Sequence, residues 1–247
     1  PRMMTTLQAA AKRGCHIITV NPLRERALVS FAHPQHPLGL LGRGTAISEQ
    51  YLQVRVNGDV ALLSGLMKEV LARGALDQAF IDEHTEGFES LRESIEALEW
   101  VDIERESGLQ RAVIQAAADV YCEAKSVIIC WAMGLTQHVN AVDNIRAVVN
   151  LLLLRGNLGR PGAGVCPVRG HSNVQGDRTV GIVERPKAAF LDALKARFDF
   201  EPPRAHGFDV VQAIHAMHDG RAKVFFAMGG NFAQATPDSE YTHAALR

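Results

Sequence analysis

Residues 126–134, SVIICWAMG, form an apolar run of strand length that stops on a glycine turn. Ser126 to Trp131 is continuously apolar rather than alternating, which is the pattern of a strand covered on both faces in a parallel sheet. Met133-Gly134 supplies a tight turn, and Ala141 to Leu154 then carries apolar residues at helical spacing until Gly156 closes it. Strand, glycine turn and helix make a βα unit, so the expected fold class is α/β with a Rossmann-like, doubly wound parallel sheet.

Upstream, Met3 to Lys12 reads as a helix and His16 to Val20 as a short strand ending at Asn21-Pro22, a helix feeding a parallel strand. His33 to Gly44, rich in His, Pro and Gly, reads as loop, and Tyr51 to Val56 as a possible strand. Asp59 is placed to cap a helix running to about Ala72, with Ala61, Leu62, Gly65, Leu66, Glu69 and Val70 spaced for one buried face. From Asp77 to Ala124 the pattern is helical throughout, with breaks at Glu86-Gly87 and Ser107-Gly108, and these helices look like scaffold.

Downstream, Arg160 to Gly181 is glycine-rich with little periodicity, and an ordered loop of that length is usually functional. Helical patterns return at Lys187 to Phe198 and Val210 to His218, and Lys223 to Met228 (KVFFAM) reads as a third buried strand running into Gly229-Gly230-Asn231. The expected organisation is residues 1–167 as most of a Rossmann-like domain lacking its first strand, and residues 168–247 as part of a second α/β unit, both incomplete. A chain that opens at Pro1 and stops at Arg247 in an unfinished helical pattern is expected to be an internal piece of a longer one.

Of the 247 residues 47% are hydrophobic and 21% charged, the profile of a globular α/β protein with ample core. Lys plus Arg is 26 against 27 for Asp plus Glu, so no global basic field exists to gather nucleic acid or anionic lipid. The longest apolar stretch, Ala147 to Leu154, is far shorter than the roughly 20 residues a membrane helix needs. Cys15, Cys122, Cys130 and Cys166 form no CxxC pair, so neither a zinc site nor an iron–sulfur cluster is legible, and reduced cytoplasmic thiols are expected.

In a doubly wound sheet ligands bind beyond the carboxyl ends of the strands. Three such ends are expected: Asn21-Pro22-Leu23-Arg24, Met133-Gly134 with Gln137, and Gly229-Gly230-Asn231. Each combines a turn that lets backbone approach a ligand with amides or Arg that bind phosphate and sugar oxygens, which suggests a nucleotide-like ligand. There is no GxGxxG and no Walker A lysine loop, so plain NAD and ATP modes are disfavoured.

The segment from Val165 to Thr179, VCPVRGHSNVQGDRT, is denser in chemistry. Arg169 offers a planar fork to carboxylate or phosphate, His171 can transfer a proton near neutral pH, and Asn173 and Gln175 can read a heterocycle through amide pairs. The alternative is structural, with Arg169 and Arg178 merely pairing with Asp177 and Glu184.

At this loop the chain resembles the molybdopterin oxidoreductases, and within them the formate dehydrogenase alpha (catalytic) subunits. The resemblance rests on blocks in order: Arg2-Met3; Val20 to Arg24 (VNPLR); Gly58 to Leu62 (GDVAL); Trp131 to His138 (WAMGLTQH); Leu153 to Arg160 (LLRGNLGR); and Pro167 to Gly176 (PVRGHSNVQG). It implies a bis(molybdopterin guanine dinucleotide) cofactor holding Mo or W, and two-electron oxidation of formate or a similar small substrate.

Carried over residue by residue, Arg169 resembles the arginine that steadies substrate, with His171 beside it. Asn21, with Arg24 in the same block, and Asp59 fall where relatives bind the ribose and guanine of one dinucleotide. Gly134 and Gln137 lie in a cofactor loop, Asn173, Gln175 and Gly176 in the pterin-contacting loop, and Gly230 and Asn231 resemble a motif near the other dinucleotide. Two departures are Asn21, where many formate dehydrogenases have Asp, and His171, where they have Gln. The metal-ligating Cys or selenocysteine and the cysteines of a 4Fe-4S cluster lie upstream of Pro1 in relatives, so no residue here is offered as a metal ligand, and the piece alone is expected to be inactive. Expected partners are a formate-like substrate, the rest of the parent chain and an electron-transfer partner. Open alternatives are another molybdoenzyme reaction on a small oxyanion and a nucleotide-binding module without redox chemistry.

Overall fold

Helix α3, Asp59–Ala72, is the centre about which the helices that follow it up to residue 154 are packed. Leu62, Leu66, Met67 and Val70 are buried together, with Ser64, Gly65 and Glu69, so the helix has apolar contact over more of its circumference than a surface helix would. The computed structural model describes residues 2–33, 35, 44–171, 173–183 and 185–247. The loop expected between His33 and Gly44 falls largely outside the described residues.

Around α3 lie α4 (Gln78–His84), α5 (Phe88–Glu96), α6 (Trp100–Ser107) and α7 (Arg111–Glu123). These realise the long helical stretch, with one break beyond those expected, at residues 97–99. Ile81, Ile95, Ile103, Ile114, Ala117 and Ala118 turn inward from them onto α3. The preceding elements are α1 (Arg2–Lys12), β1 (Ile18–Val20), α2 (Arg26–Val29), β2 (Ser30–Phe31), β3 (Thr45–Ala46) and β4 (Gln50–Leu52). After α7 come β5 (Ile128–Trp131), the short α8 (Met133–Thr136), α9 (Ala141–Leu153) and β6 (Gly164–Pro167).

β1 pairs with β4 in parallel, β5 with β6 in parallel, and β2 with β3 antiparallel. The βα unit read from the sequence is present and is completed by a strand the sequence did not disclose: α9 crosses from β5 to its parallel partner β6. Among the described residues the two parallel pairs do not join into one sheet. Each packs instead on the helical core, through Ile18 and Ile129 respectively.

Three local expectations are corrected. β5 is not covered on both faces: Ile128 is 54% exposed and Cys130 is exposed, because only one face meets helices. Asp59 is the first helical residue of α3 rather than its cap, the cap being Gly58 with no side-chain bond. β6 lies inside the stretch read as loop, because its four residues form a strand through backbone bonds to β5 and carry no alternation of their own.

A polar clamp seats β5. The Arg155 guanidinium donates to the Ala75 and Ala124 carbonyls at 3.0 and 3.2 Å, closing the chain ends that follow α3 and α7. Asn157, fully buried, accepts from the Val127 N–H at 3.1 Å and from Arg160 at 2.8 Å. Tyr121 donates to the Leu151 carbonyl at 2.6 Å, and burial holds its phenol well above the ordinary range.

The chain divides into one unit running to Gly170 and another from His171. The second contains α10 (Val174–Thr179), α11 (Ala188–Phe198), α12 (Val210–His218), α13 (Phe232–Ala235) and α14 (Ser239–Ala245). Its core is small: Leu191, Ile214, Ala216 and a buried Thr236–Thr242 hydroxyl pair at 2.8 Å. The strand expected at Lys223 to Met228 is not formed, and Val224, Phe226 and Met228 are each more than 80% exposed. A strand needs a hydrogen-bonding neighbour, and no strand occurs in this unit among the described residues.

The clamp yields a stability test. Replacing Asn157 with Ala leaves the part-buried Val127 N–H and the Arg160 guanidinium short of an acceptor, and should cost about 1–3 kcal/mol in denaturant unfolding. Hydrogen exchange at Val127 should accelerate with it; unchanged protection there would remove Asn157 from this role.

Candidate functional site

The C-terminal ends of the parallel strands carry most of the residues singled out in the first unit. At the end of β1 the Asn21 N–H donates to the Leu52 carbonyl at 3.1 Å, adding one rung to the β1–β4 ladder. Its side-chain Nδ2 donates to the Leu23 carbonyl at 2.7 Å and to Glu25 Oε1 and Tyr51 Oη at 3.3 Å. Tyr51 in turn donates to the Leu23 carbonyl at 2.6 Å and accepts from the Glu25 N–H at 3.0 Å.

Asn21 therefore builds the turn that presents Arg24. Its neighbours are a carbonyl and a carboxylate, both acceptors, so this position asks for the amide donor that Asn has and an ionised Asp lacks. Arg24 is exposed and, among the described residues, makes no hydrogen bond or ion pair.

The second strand-end group forms around α3 and β5. Gly58 passes beneath the end of α6, where a Cβ would lie 2.7 Å from the Glu106 carbonyl oxygen, so only glycine lets the chain enter α3 there. Asp59 follows at once, about half buried. That burial raises its carboxyl above the usual carboxylate range, opposed by a bond from its own backbone N–H and by the nearby His138 ring. A carboxylate kept in a position that disfavours its charge is a mark of sites that bind or react.

His138 belongs to the same β5-end segment as Gly134 and Gln137. That segment is pinned from below by Asn144 of α9, fully buried, whose Nδ2 donates to the Leu135 carbonyl at 2.9 Å. A Cβ on Gly134 would meet no atom within 4 Å, so the backbone there is open to a ligand, and Gln137 is exposed beside it. Met133-Gly134 adopts a helical turn, α8, in place of the tight turn expected.

The partner strand brings up the rest. The Val168 N–H donates to the Trp131 carbonyl at 2.7 Å, which carries the β5–β6 ladder to the brink of Arg169. The exposed Arg169-Gly170 segment passes over Met133, whose Sδ lies 3.4 Å from where a Gly170 Cβ would be. Asp59, His138, Met133-Gly134 and Arg169 are thus drawn toward one another, while no hydrogen bond joins the Asn21 turn to Asp59 among the described residues.

In the second unit His171 and Asn173 are exposed, and the Asn173 carbonyl receives the Gly176 and Asp177 N–H groups as α10 begins. The Asn173 side chain lies over Gly176 and would have to move aside to admit a Cβ there. Gln175 lies within α10, exposed, and its carbonyl accepts from the Thr179 hydroxyl at 2.8 Å. Gly230 is open, and the Asn231 carbonyl receives the Gln234 and Ala235 N–H groups of α13. Ser172, and the alternative pairing of Arg178 with Glu184, lie outside the described residues.

His138 and Asn144 were not singled out from the sequence. His138 stands in the WAMGLTQH block and Asn144 is a polar residue on the buried stripe of an otherwise apolar helix, which is the signal that marks it. No three His, Cys, Asp or Glu side chains converge on a possible metal position among the described residues. The donor set fits a different ligand: amides, exposed guanidinium groups, open glycines and one desolvated carboxylate at strand ends suit the phosphates and heterocycle of a nucleotide-bearing cofactor.

Comparison with known proteins agrees in kind. The chain is 48% identical over its whole length to the protein YdeP of Escherichia coli O6:H1 (strain CFT073), of which it covers 34%. It is equally similar, at 48% over its whole length and 32% of the relative, to an uncharacterized oxidoreductase, Rv2900c, of Mycobacterium tuberculosis (strain H37Rv). YrhE of Bacillus subtilis (strain 168), provisionally named a formate dehydrogenase, is 31% identical over 98% of the chain and 26% of the relative. The chain thus spans about a third of the length of the first of these relatives. Among solved structures, acetylene hydratase from Pelobacter acetylenicus superposes with a TM-score of 0.55 at 22% identity, over 65% of this chain and 20% of that one, a likeness of fold. The family model for molybdopterin oxidoreductases matches residues 7–247, and with it the strand-end loops described above, so the chain belongs to the molybdopterin oxidoreductase family.

Proposed function

We propose that the chain is the part of a formate-oxidising enzyme that holds a bis(molybdopterin guanine dinucleotide) cofactor with Mo or W and orients formate beside it. The observation that carries this reading is the grouping at the β5–β6 edge, where the exposed Arg169 follows directly from a strand whose partner leads into Gly134, Gln137 and His138. The provisional name of YrhE supports formate as the substrate class.

When bound, the cofactor supplies a centre able to accept two electrons. The chain's own groups do the positioning. Formate becomes carbon dioxide with loss of one proton and two electrons, so its carboxylate must be held while its C–H is presented. The Arg169 guanidinium holds both carboxylate oxygens in its planar fork, and the imidazole of His171, two residues on along the chain, takes up the proton. Asp59 accepts N–H groups of guanine, Asn21 and Arg24 meet ribose and phosphate, and Gly134 and Gln137 line the cofactor's path. Asn173, Gln175 and Gly176 contact a pterin, and Gly230 and Asn231 serve the second dinucleotide. A 4Fe-4S cluster held elsewhere in the full-length protein would supply the path for these electrons to an acceptor protein. A cytoplasmic location goes with this reading, supported by four cysteines that are all free. No described helix is long and apolar enough to cross a membrane.

His171 favours a second reading, oxyanion reduction on the same cofactor, because an imidazole can deliver protons as well as receive them. A substrate panel on the full-length protein separates the two: formate-dependent dye reduction supports oxidation, and activity confined to oxyanions with a reduced dye supports the other.

Metal and pterin analysis of the full-length protein, from cells that make the cofactor, should give about one Mo or W and two pterins per chain; a metal-free, pterin-free protein would overturn the reading. Arg169→Ala should then lower kcat/KM for formate by about 10²–10³-fold with cofactor content unchanged. An unaltered rate would remove Arg169 from the substrate site.

Asp59 has a pH signature. Its folded pKa is raised, so between the unfolded and folded values the native state holds the proton more tightly, and stability falls as pH rises through that window. Asp59→Asn should therefore unfold at higher denaturant than wild type at neutral pH, with the difference vanishing at pH values below the unfolded carboxylate pKa. The same variant should retain less pterin; equal retention would free Asp59 from guanine binding.

A further inference from the structure

The parallel ladder of β5 and β6 sets Ile129 against Val165, Cys130 against Cys166 and Trp131 against Pro167. Residues in register on adjacent parallel strands project to the same face, and neighbouring strands lie about 4.8 Å apart. That spacing lies within the roughly 4.4–6.8 Å over which a disulfide joins two Cα atoms. Both cysteines are free and exposed, and the two thiols are in hydrogen-bond contact. The ladder continues on either side, through the Gly164 N–H to the Val127 carbonyl at 3.0 Å and the Val168 N–H to the Trp131 carbonyl at 2.7 Å, so the backbone holds the sulfurs together. Neither thiol has a part in the function proposed above.

We infer that Cys130 and Cys166 are a modification site, a reversible disulfide formed across β5 and β6 by exchange with a small-molecule disulfide. The Cys166 thiolate attacks one sulfur of the small disulfide; that S–S bond breaks, one small thiol leaves, and Cys166 carries the other half as a mixed disulfide. The Cys130 sulfur, giving its proton to solvent, then attacks Cys166 and breaks the mixed bond, releasing the second small thiol. Two protein thiols have lost two electrons and two protons, and the small disulfide has become two thiols.

The order follows from the environment. Partial burial, with the Cys166 sulfur beside it, pushes the Cys130 thiol up to about 11, so Cys130 stays protonated at neutral pH and acts second, as the resolving group. The bond would staple together the strand ends from which the Met133-to-Gln137 and Arg169 segments depart. It would thereby fix the separation of two loops that the unlinked strands hold by backbone bonds alone.

The test uses the full-length protein, equilibrated with glutathione disulfide, alkylated, digested and read by peptide mass spectrometry. Cys130 and Cys166 should lose alkylation together, their peptides should appear joined with loss of two hydrogen atoms, and dithiothreitol should restore both. Cys130→Ser should trap Cys166 as a stable glutathione adduct. The inference is overturned if both stay fully alkylated at an oxidant level that converts the same cysteines in unfolded protein. It fails equally if wild-type Cys166 accumulates the glutathione adduct without cross-linking, or links to Cys15 or Cys122 instead.

Discussion

The polar clamp that Arg155 and Arg160 build around the fully buried Asn157 is the constraint on which the geometry of the first unit depends. A guanidinium taken out of water is costly unless its donors find acceptors, and the acceptors available to Arg155 are the carbonyls of Ala75 and Ala124. Those two carbonyls end the segments that follow α3 and α7, so satisfying one cation fixes where three helices stop. Asn157 then receives the N–H of Val127, the residue just before β5, and so sets where that strand begins. Because the Gly164 N–H bonds back to the Val127 carbonyl, the same anchor sets the start of β6 as well. The strand ends, and with them the Met133-to-His138 and Arg169 segments, lie where they do because their strand starts are held by a few desolvated hydrogen bonds.

The sequence disclosed the elements whose stability is local. α9 buries one stripe and α3 a wider face, and the 3.6-residue period of each is written in their apolar positions. Elements whose stability comes from a neighbour were not disclosed. Gly164 to Pro167 has no strand pattern and becomes a strand because β5 offers it a ladder, whereas Lys223 to Met228 has a strong strand pattern and lies irregular because its unit offers none. Pattern measures a residue's preference for a pleated surface, and a pleated surface needs two strands.

The same division runs through the candidate site. Family motifs pointed to the loops, and the loops are at strand ends; what each side chain does there was a matter of partners the sequence does not print. Asn21 is expected to meet the ribose or guanine of a dinucleotide, and its donor group is what the turn uses, toward Leu23, Glu25 and Tyr51. Asp59 read as a helix cap, yet Gly58 holds that position and the carboxyl is left half buried beside His138. The pairing of Cys130 with Cys166 depends on register, and register between strands separated by a whole helix cannot be counted off along the chain.

One feature of the charge distribution ties these observations together. Arg24 and Arg169 present exposed cations at strand ends, and Asp59 carries a carboxyl whose ionisation is disfavoured by burial. A phosphate group answers the first condition, since it accepts bidentate donation from guanidinium. A heterocycle with adjacent N–H donors answers the second, since hydrogen bonds to the ionised carboxylate offset its desolvation and draw its pKa back down. A guanine dinucleotide carries both groups on one molecule. Under the proposed function its phosphates would meet Arg24 while its base stabilises the ionised Asp59, so a ligand bringing only phosphate or only base would gain only one of the two.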